Sequence, residues 1–308
     1  KLSKRNRDEQ IAGSRVEVAP FKKDPADFVL WKPSNDEQPG WNSPWGYGRP
    51  GWHTECSAMS EKTLGLPFDI HGGGRDLTFP HHENEIAQSC CSSAGTSDPK
   101  SYVNYWMHNG FVTVNGEKMS KSLGNISLVK DLTEDNHGEV IRLSLLSSHY
   151  RQALDWNDKV VHQAKKLLDK LYKVLSDLKD IKPSEINESS MSIILPLLDD
   201  LNTPGLLANL NKMIKEFKNI SDKDLPEFKS KLLLANELMG ICQEDYLDWF
   251  NDDKEGLDTN MIDALILERL DAKKNKNFDK ADSIRQQLLD MNIEIKDTES
   301  GTDWTLKV

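Results

Sequence analysis

Near residue 150 the chain changes character, and that change constrains its fold more than any other feature. From Trp156 onward, Val160, Val161, Ala164, Leu167, Leu168, Leu171, Leu175 and Leu178 recur at spacings of three and four, with lysines and aspartates between them. That period places apolar residues on one face of an α-helix. Leu195 to Phe217 and Phe228 to Gly240 repeat the pattern, while polar Asp180 to Ser192, with Pro183, reads as a connection. The expectation is an all-α helical bundle over residues 156–247. Met261 to Met291 holds two more short amphipathic helices, and Ile293 to Leu306 reads as a hairpin around Ser300-Gly301. Together they predict a small α+β module over residues 248–308.

Before residue 150 the texture differs. Five of the eight tryptophans lie there, with glycine- and proline-rich turns between short apolar runs. Phe28 to Trp31 and Val112 to Val114 read as strands, and Pro39 to Trp52 as a long irregular connection. Strands alternating with a helix after Trp52 and another after Pro80 predict an α/β portion over residues 1–125. Residues 126–155 then join it to the bundle.

The remaining composition narrows the classes. With 37% hydrophobic and 29% charged residues the chain is neither wholly disordered nor collagen-like. No apolar run has the length of about 18 residues that a membrane helix needs. Lys1 to Arg5 opens no secretory signal. Cys56, Cys90, Cys91 and Cys242 make no disulfide scaffold, so a reducing, cytoplasmic setting is expected. A net charge of −11 argues against nucleic-acid binding over the whole surface, while leaving room for a local basic one.

Four groups of residues could carry chemistry. In the first, Cys56 is read with His81-His82-Glu83-Asn84-Glu85. Pro80 stands where a helix opens, and His81 and Glu85, four apart, then share a face. A thiolate brought from another element would complete three donors of types that zinc accepts. The alternative is a solvated helical pair and a small buried cysteine, because the short zinc spacings are absent. In the second, His71-Gly72-Gly73-Gly74 follows the apolar run ending at Ile70; three glycines there let a ligand approach the backbone closely and permit positive φ, or else form an ordinary tight turn. The third is Lys118-Met119-Ser120-Lys121-Ser122, where two ammonium groups flank two hydroxyls, as suits phosphate or simply an exposed basic loop. The fourth is Arg269, Lys273, Lys274, Lys276, Lys280 and Arg285 on the late helices, opposite Ala272, Ala281, Ile284 and Leu288. This charge run is either a solvated face or a phosphate-binding one.

These pieces occur in one order in a family. Lys118 to Ser122 resembles the second signature of class I aminoacyl-tRNA synthetases. Gly48 to Cys56, His71 to Gln88 and Tyr105 to Gly110 resemble the cysteinyl-tRNA synthetases in particular, and the likeness runs along essentially the whole chain. Asp199 to Pro204 falls in that family's helical domain, and Ala281 to Arg285 and Asp297 to Trp304 in its anticodon-proximal part. The family's first signature, His-x-Gly-His, and a further zinc-ligating cysteine are absent. The resemblance implies that they belong to an N-terminal portion of the catalytic domain not included here.

What the resemblance implies is specific. The α/β portion is Rossmann-like. ATP and L-cysteine give cysteinyl-adenylate, and the cysteinyl group passes to tRNA(Cys). One Zn2+, held by Cys56, His81 and Glu85, takes the substrate sulfur as thiolate, which a serine hydroxyl matches poorly. Trp52 walls the amino-acid pocket, with His71 a second pocket residue. Lys121, with Lys118 assisting, stabilises charge on the ATP phosphates, and Mg2+ accompanies the nucleotide. The helical and C-terminal parts contact tRNA, with Arg285, Asp297 and Trp304 as candidates. A cytoplasmic monomer is expected. Two rivals are a related ligase joining cysteine to an amino sugar, and an inactive tRNA-binding fragment.

Overall fold

The computed structural model of the protein describes residues 2–6, 8–9, 22–96, 98–120, 122–252, 259–291, 293–298 and 301–306. Its contacts divide it into two units: residues 1–112 with 150–154, and residues 113–149 with 155–308.

The first unit starts with strands β1 (Trp31–Pro33) and β2 (Gly48–Pro50), paired antiparallel with Trp31 opposite Pro50. The strand expected over Phe28 to Trp31 is therefore displaced toward the C-terminus. Phe28, Val29 and Leu30 instead line an open cavity of about 1200 Å³. The connection from Pro39 to Trp52 is less irregular than its composition predicts, because Gly48 returns beside Lys32. A Cβ at Gly48 would stand 2.5 Å from the Lys32 carbonyl oxygen, so glycine permits the pairing.

Helix α1 (Trp52–Leu64) follows. Then β3 (Phe68–Gly74), helix α2 (His81–Ser89) and β4 (Val103–Asn109) form a βαβ unit with parallel strands. His71 pairs with Trp106 and Gly73 with His108. Residues two apart share a sheet face, so these four positions form one surface. Phe68, Ile86, Cys90, Tyr102 and Val103 make the small core beneath it. The glycine run does not form a tight turn. Gly72, Gly73 and Gly74 continue β3, and none has a positive φ. Their use is lack of bulk: a Cβ on Gly73 would lie 2.9 Å from Cε1 of His82.

Strands β5 (Val112–Val114) and β6 (Glu117–Lys118) pair through Thr113–Lys118 and Val114–Glu117, both pairs lying in the second unit. Asp155 braces this turn by accepting from Thr113 Oγ1 and Gly116 N, both at 2.7 Å. Helices α3 (Val129–Asp135) and α4 (Gly138–Leu146) lead to α5 (Asp158–Asp177). Asn157 caps α5 by accepting from Val160 N at 3.1 Å. Its apolar stripe buries Ala164, Leu168 and Leu171 against Leu206 and Leu210 of α6 (Thr203–Glu216) and Leu232 and Ala235 of α7 (Leu225–Met239). Each large aliphatic side chain so buried contributes about 1.5–3 kcal/mol. Gly240, at φ +62°, ends α7 in the left-handed conformation that glycine adopts most readily. The connection after Asp180 includes a short helix, Glu188–Met191, capped by Asn187.

After α8 (Tyr246–Asp252), helices α9 (Thr259–Lys274) and α10 (Phe278–Asp290) pack Ile262 and Ile266 on Ile284, Leu288 and Ile293. Strands β7 (Ile293–Thr298) and β8 (Gly301–Leu306) pair antiparallel, as the hairpin reading expects. Ser300 lies outside the described residues.

Candidate functional site

Helix α1 presents Cys56, and α2 presents His81 and Glu85 four residues apart. One donor atom from each lies within 4.8 Å of the other two. Glu85 is fully buried, His81 nearly so and Cys56 partly. A second group, His71, His82 and Glu85, meets the same distance limit through the shared carboxylate.

The carboxylate of Glu85 is asymmetric. Its Oε2 accepts from Tyr102 Oη at 3.0 Å and lies 3.0 Å from His71 Nε2. Its Oε1 is buried without a hydrogen bond, although His81 Nε2 stands only 2.6 Å away. That approach is short enough for a hydrogen bond but is not aligned as one. Burial drives a carboxyl upward, yet His71 and His81 outweigh it and hold Glu85 down at about 2. An ionised, buried oxygen whose nearest partner is not aligned to donate is incompletely satisfied, and that costs free energy. A cation facing Cys56, His81 and Glu85 would relieve it, and sulfur, imidazole and carboxylate are donor types zinc accepts. The residues present fit such an ion.

The surroundings orient these donors. His53 Nδ1 lies 2.6 Å from His81 Nδ1, so one ring must donate and the other accept. Burial, then the neighbouring His81, lowers the pKa of His53 and favours its neutral form. With His53 accepting and His81 donating at Nδ1, Nε2 of His81, 2.6 Å from Glu85 Oε1, would be the atom to face an ion, the arrangement usual for metal-bound histidines. Trp52, the first residue of α1, stacks on the His81 ring with centroids 4.0 Å apart and planes 18° from parallel. It is 57% exposed, so it covers the site rather than filling the core. Burial, and then Glu85, raises the Cys56 thiol above its usual range. Burial likewise pushes the Tyr102 phenol up, keeping it a donor.

A second layer lies along the sheet face. His82 Nδ1 is 2.9 Å from His108 Nε2. Burial lowers His82 to about 4, so at neutral pH that ring is uncharged. Trp106 packs against His71 and His82. The large cavity of this unit is lined by Thr54, Ser57, Ala58 and Glu61 of α1 and includes none of the three clustered donors.

His53, Tyr102 and His108 escaped the sequence reading as functional positions, and His82 was grouped with His81 there but given no role. His82 and His53 each adjoin a residue singled out there. His108 could have been found from period two, since Trp106 and His108 point to one face. Tyr102 carries no such signal.

In the second unit Lys118 ends β6, exposed, and its carbonyl accepts from Asn125 Nδ2 at 3.3 Å. Asn125 Oδ1 also accepts from Ser120 N at 2.8 Å, so this asparagine folds the loop back on itself. Lys121 lies outside the described residues. Several late basic residues are paired inside their own module. Arg269, 5% exposed, makes two bonds to Asp297 at 2.8 and 3.1 Å, and Lys273 joins the same carboxylate at 2.6 Å. Lys280 meets Glu268 at 2.8 Å. Trp304 Nε1 donates to Asp263 at 3.1 Å.

Comparison with known proteins adds a second line of observation. A family model described as the tRNA synthetases class I (C) catalytic domain matches residues 1–166. A cysteine–tRNA ligase of Parvibaculum lavamentivorans is 50% identical over 308 residues, covering 99% of this chain and 65% of that protein. One from Xanthomonas campestris pv. campestris is 50% identical over 305 residues, with the same two shares. One from Paramagnetospirillum magneticum is 48% identical over 307 residues, covering 98% of this chain and 66% of that protein. The chain thus spans 65% of the length of the first two relatives.

Proposed function

Since the chain belongs to the class I (C) catalytic-domain family of tRNA synthetases, we propose that the protein it forms part of is a cysteine–tRNA ligase. The carboxylate of cysteine attacks the α-phosphate of ATP, giving cysteinyl-adenylate and releasing pyrophosphate, with Mg2+ accompanying the nucleotide. A hydroxyl of the terminal ribose of tRNA(Cys) then attacks the adenylate carbonyl, and AMP leaves. No general base is needed in the first half, because the amino acid arrives as a carboxylate.

The observation that carries this reading is the unsatisfied Oε1 of Glu85 beside His81 and Cys56. A zinc ion held by these three would offer a soft position for the substrate sulfur as thiolate, a choice against serine that an apolar pocket makes only about 100-fold. Trp52 walls the pocket from its stacked place over His81, while His53 fixes the His81 tautomer. His71, bonded toward Glu85, serves the pocket from behind the carboxylate. Lys118 and Lys121 place positive charge on the phosphates, electrostatic catalysis with little covalent chemistry from the protein. Residues 1–125 do the chemistry, 126–155 connect, and 156–247 with 248–308 bind tRNA. A cytoplasmic monomer is the setting this implies. Among the described residues, no helix is long and apolar enough to cross a membrane.

The test uses the full-length gene product. Cysteine-dependent exchange of pyrophosphate into ATP is expected, with serine disfavoured by more than about 100-fold. Cys56→Ala and His81→Ala should abolish most exchange while changing tRNA affinity little. Undiminished exchange in zinc-stripped Cys56→Ala protein would overturn the reading.

A further inference from the structure

We propose that Tyr102 is a positioning residue for this metal site: its hydroxyl holds Oε2 of Glu85 so that Oε1 remains free for the ion. The inference rests on the zinc reading above and assigns a role to a residue outside the ligand set.

The geometry makes this more than core packing. Tyr102 is 0% exposed, and its ring is wedged edge-on against Phe68 with centroids 5.1 Å apart. A phenylalanine would fill the same volume. What the hydroxyl adds is a 3.0 Å bond to Glu85 Oε2. That single bond ties the residue before β4 to the helix that carries His81 and Glu85.

Its own backbone is fixed as well. Tyr102 immediately precedes β4, its carbonyl accepts from Phe68 N at 3.2 Å and its amide donates to Pro99 O at 3.1 Å. The strand register thus sets the height at which the hydroxyl meets Glu85. With Oε2 engaged by Tyr102 and His71, rotation of the carboxylate would break two contacts. Oε1 stays directed at the cluster. Hydrogen bonding to a ligating carboxylate typically changes metal affinity by 10–100-fold.

The test measures zinc affinity of the full-length protein by chelator competition, with the visible spectrum of the Co2+-substituted form as a second readout. Tyr102→Phe should weaken zinc binding by about 10–100-fold and shift the cobalt bands, with the thermal midpoint of the metal-free protein nearly unchanged. In a Glu85→Ala background the same substitution should produce no further loss, because the tyrosine then has no carboxylate to hold. If Tyr102→Phe does not fold, 3-fluorotyrosine incorporated at position 102, a stronger donor of nearly the same volume to Glu85 Oε2, should shift the cobalt bands, and unshifted bands would overturn the assignment. Equal zinc affinity in Tyr102→Phe and unaltered protein would overturn the assignment, as would an equal loss with and without Glu85. Failure of the unaltered protein to bind zinc at all would overturn the metal reading itself, and this inference with it.

Discussion

At Cys56 the protonation state and the proposed ligand role pull against each other. Burial and the nearby Glu85 raise the thiol, so at neutral pH the metal-free protein carries S–H there. A zinc ligand must be thiolate. Binding must therefore expel a proton, and zinc affinity should rise with pH until the thiol's own raised pKa is passed. Calorimetric titration of zinc into the full-length protein, in buffers of differing ionisation enthalpy, would count that proton. A Cys56→Ser variant should release fewer protons and bind more weakly. Identical heats in all buffers would mean that Cys56 does not ligate. Residue types alone suggested this set, because His81 and Glu85 share a helical face wherever the helix lies. The role of His53 was not legible, since nothing in its spacing shows that its Nδ1 meets that of His81.

Elements were more readable than their joints. The stripe from Val160 to Leu178 predicted α5 because a three-four period has one structural meaning. The glycine run misled because three glycines suggest a turn, whereas here they give a strand room beside an imidazole. The end of α5 shows a contact that no local pattern reveals. Lys229, on α7, donates to the carbonyls of Leu178 at 2.9 Å and Ile181 at 2.7 Å, with Lys179 O at 3.4 Å. The ammonium satisfies carbonyls that a helix end leaves open and lies at the negative end of its dipole. Lys229→Met keeps most of the aliphatic stem but removes the donor. It should destabilise the protein by about 1.5–3 kcal/mol, the range for a charged hydrogen bond, read as a lowered midpoint in urea. An unchanged midpoint would show that water replaces the ammonium without loss.

For the whole molecule, the two units have separate cores, so zinc should stabilise them unequally. The donors all belong to the unit of residues 1–112 with 150–154, whereas the large leucine core around Leu168 and Leu210 belongs to the other. A ligand stabilises the state that binds it, and amide exchange resolves such gains by region. Stripping zinc from the full-length protein should speed amide exchange in α1 and α2 and leave α5, α6 and α7 as they were. Equal acceleration in both groups would contradict this partition. The net charge of −11 was a poor guide to the late helices, because their basic residues are partly spent on carboxylates in the same module. Composition records how many charges there are, not which partner each one faces.

Gly73 carries a consequence of its own. The ring beside it cannot simply swing aside, since its Nδ1 is tied to His108 and Trp106 packs against it. A single methyl at this position would thus be felt first by an imidazole on another element and next by the face that bears Glu85. The smallest change the genetic code can make to this backbone position is, for that reason, also a change to the helix face that carries the carboxylate.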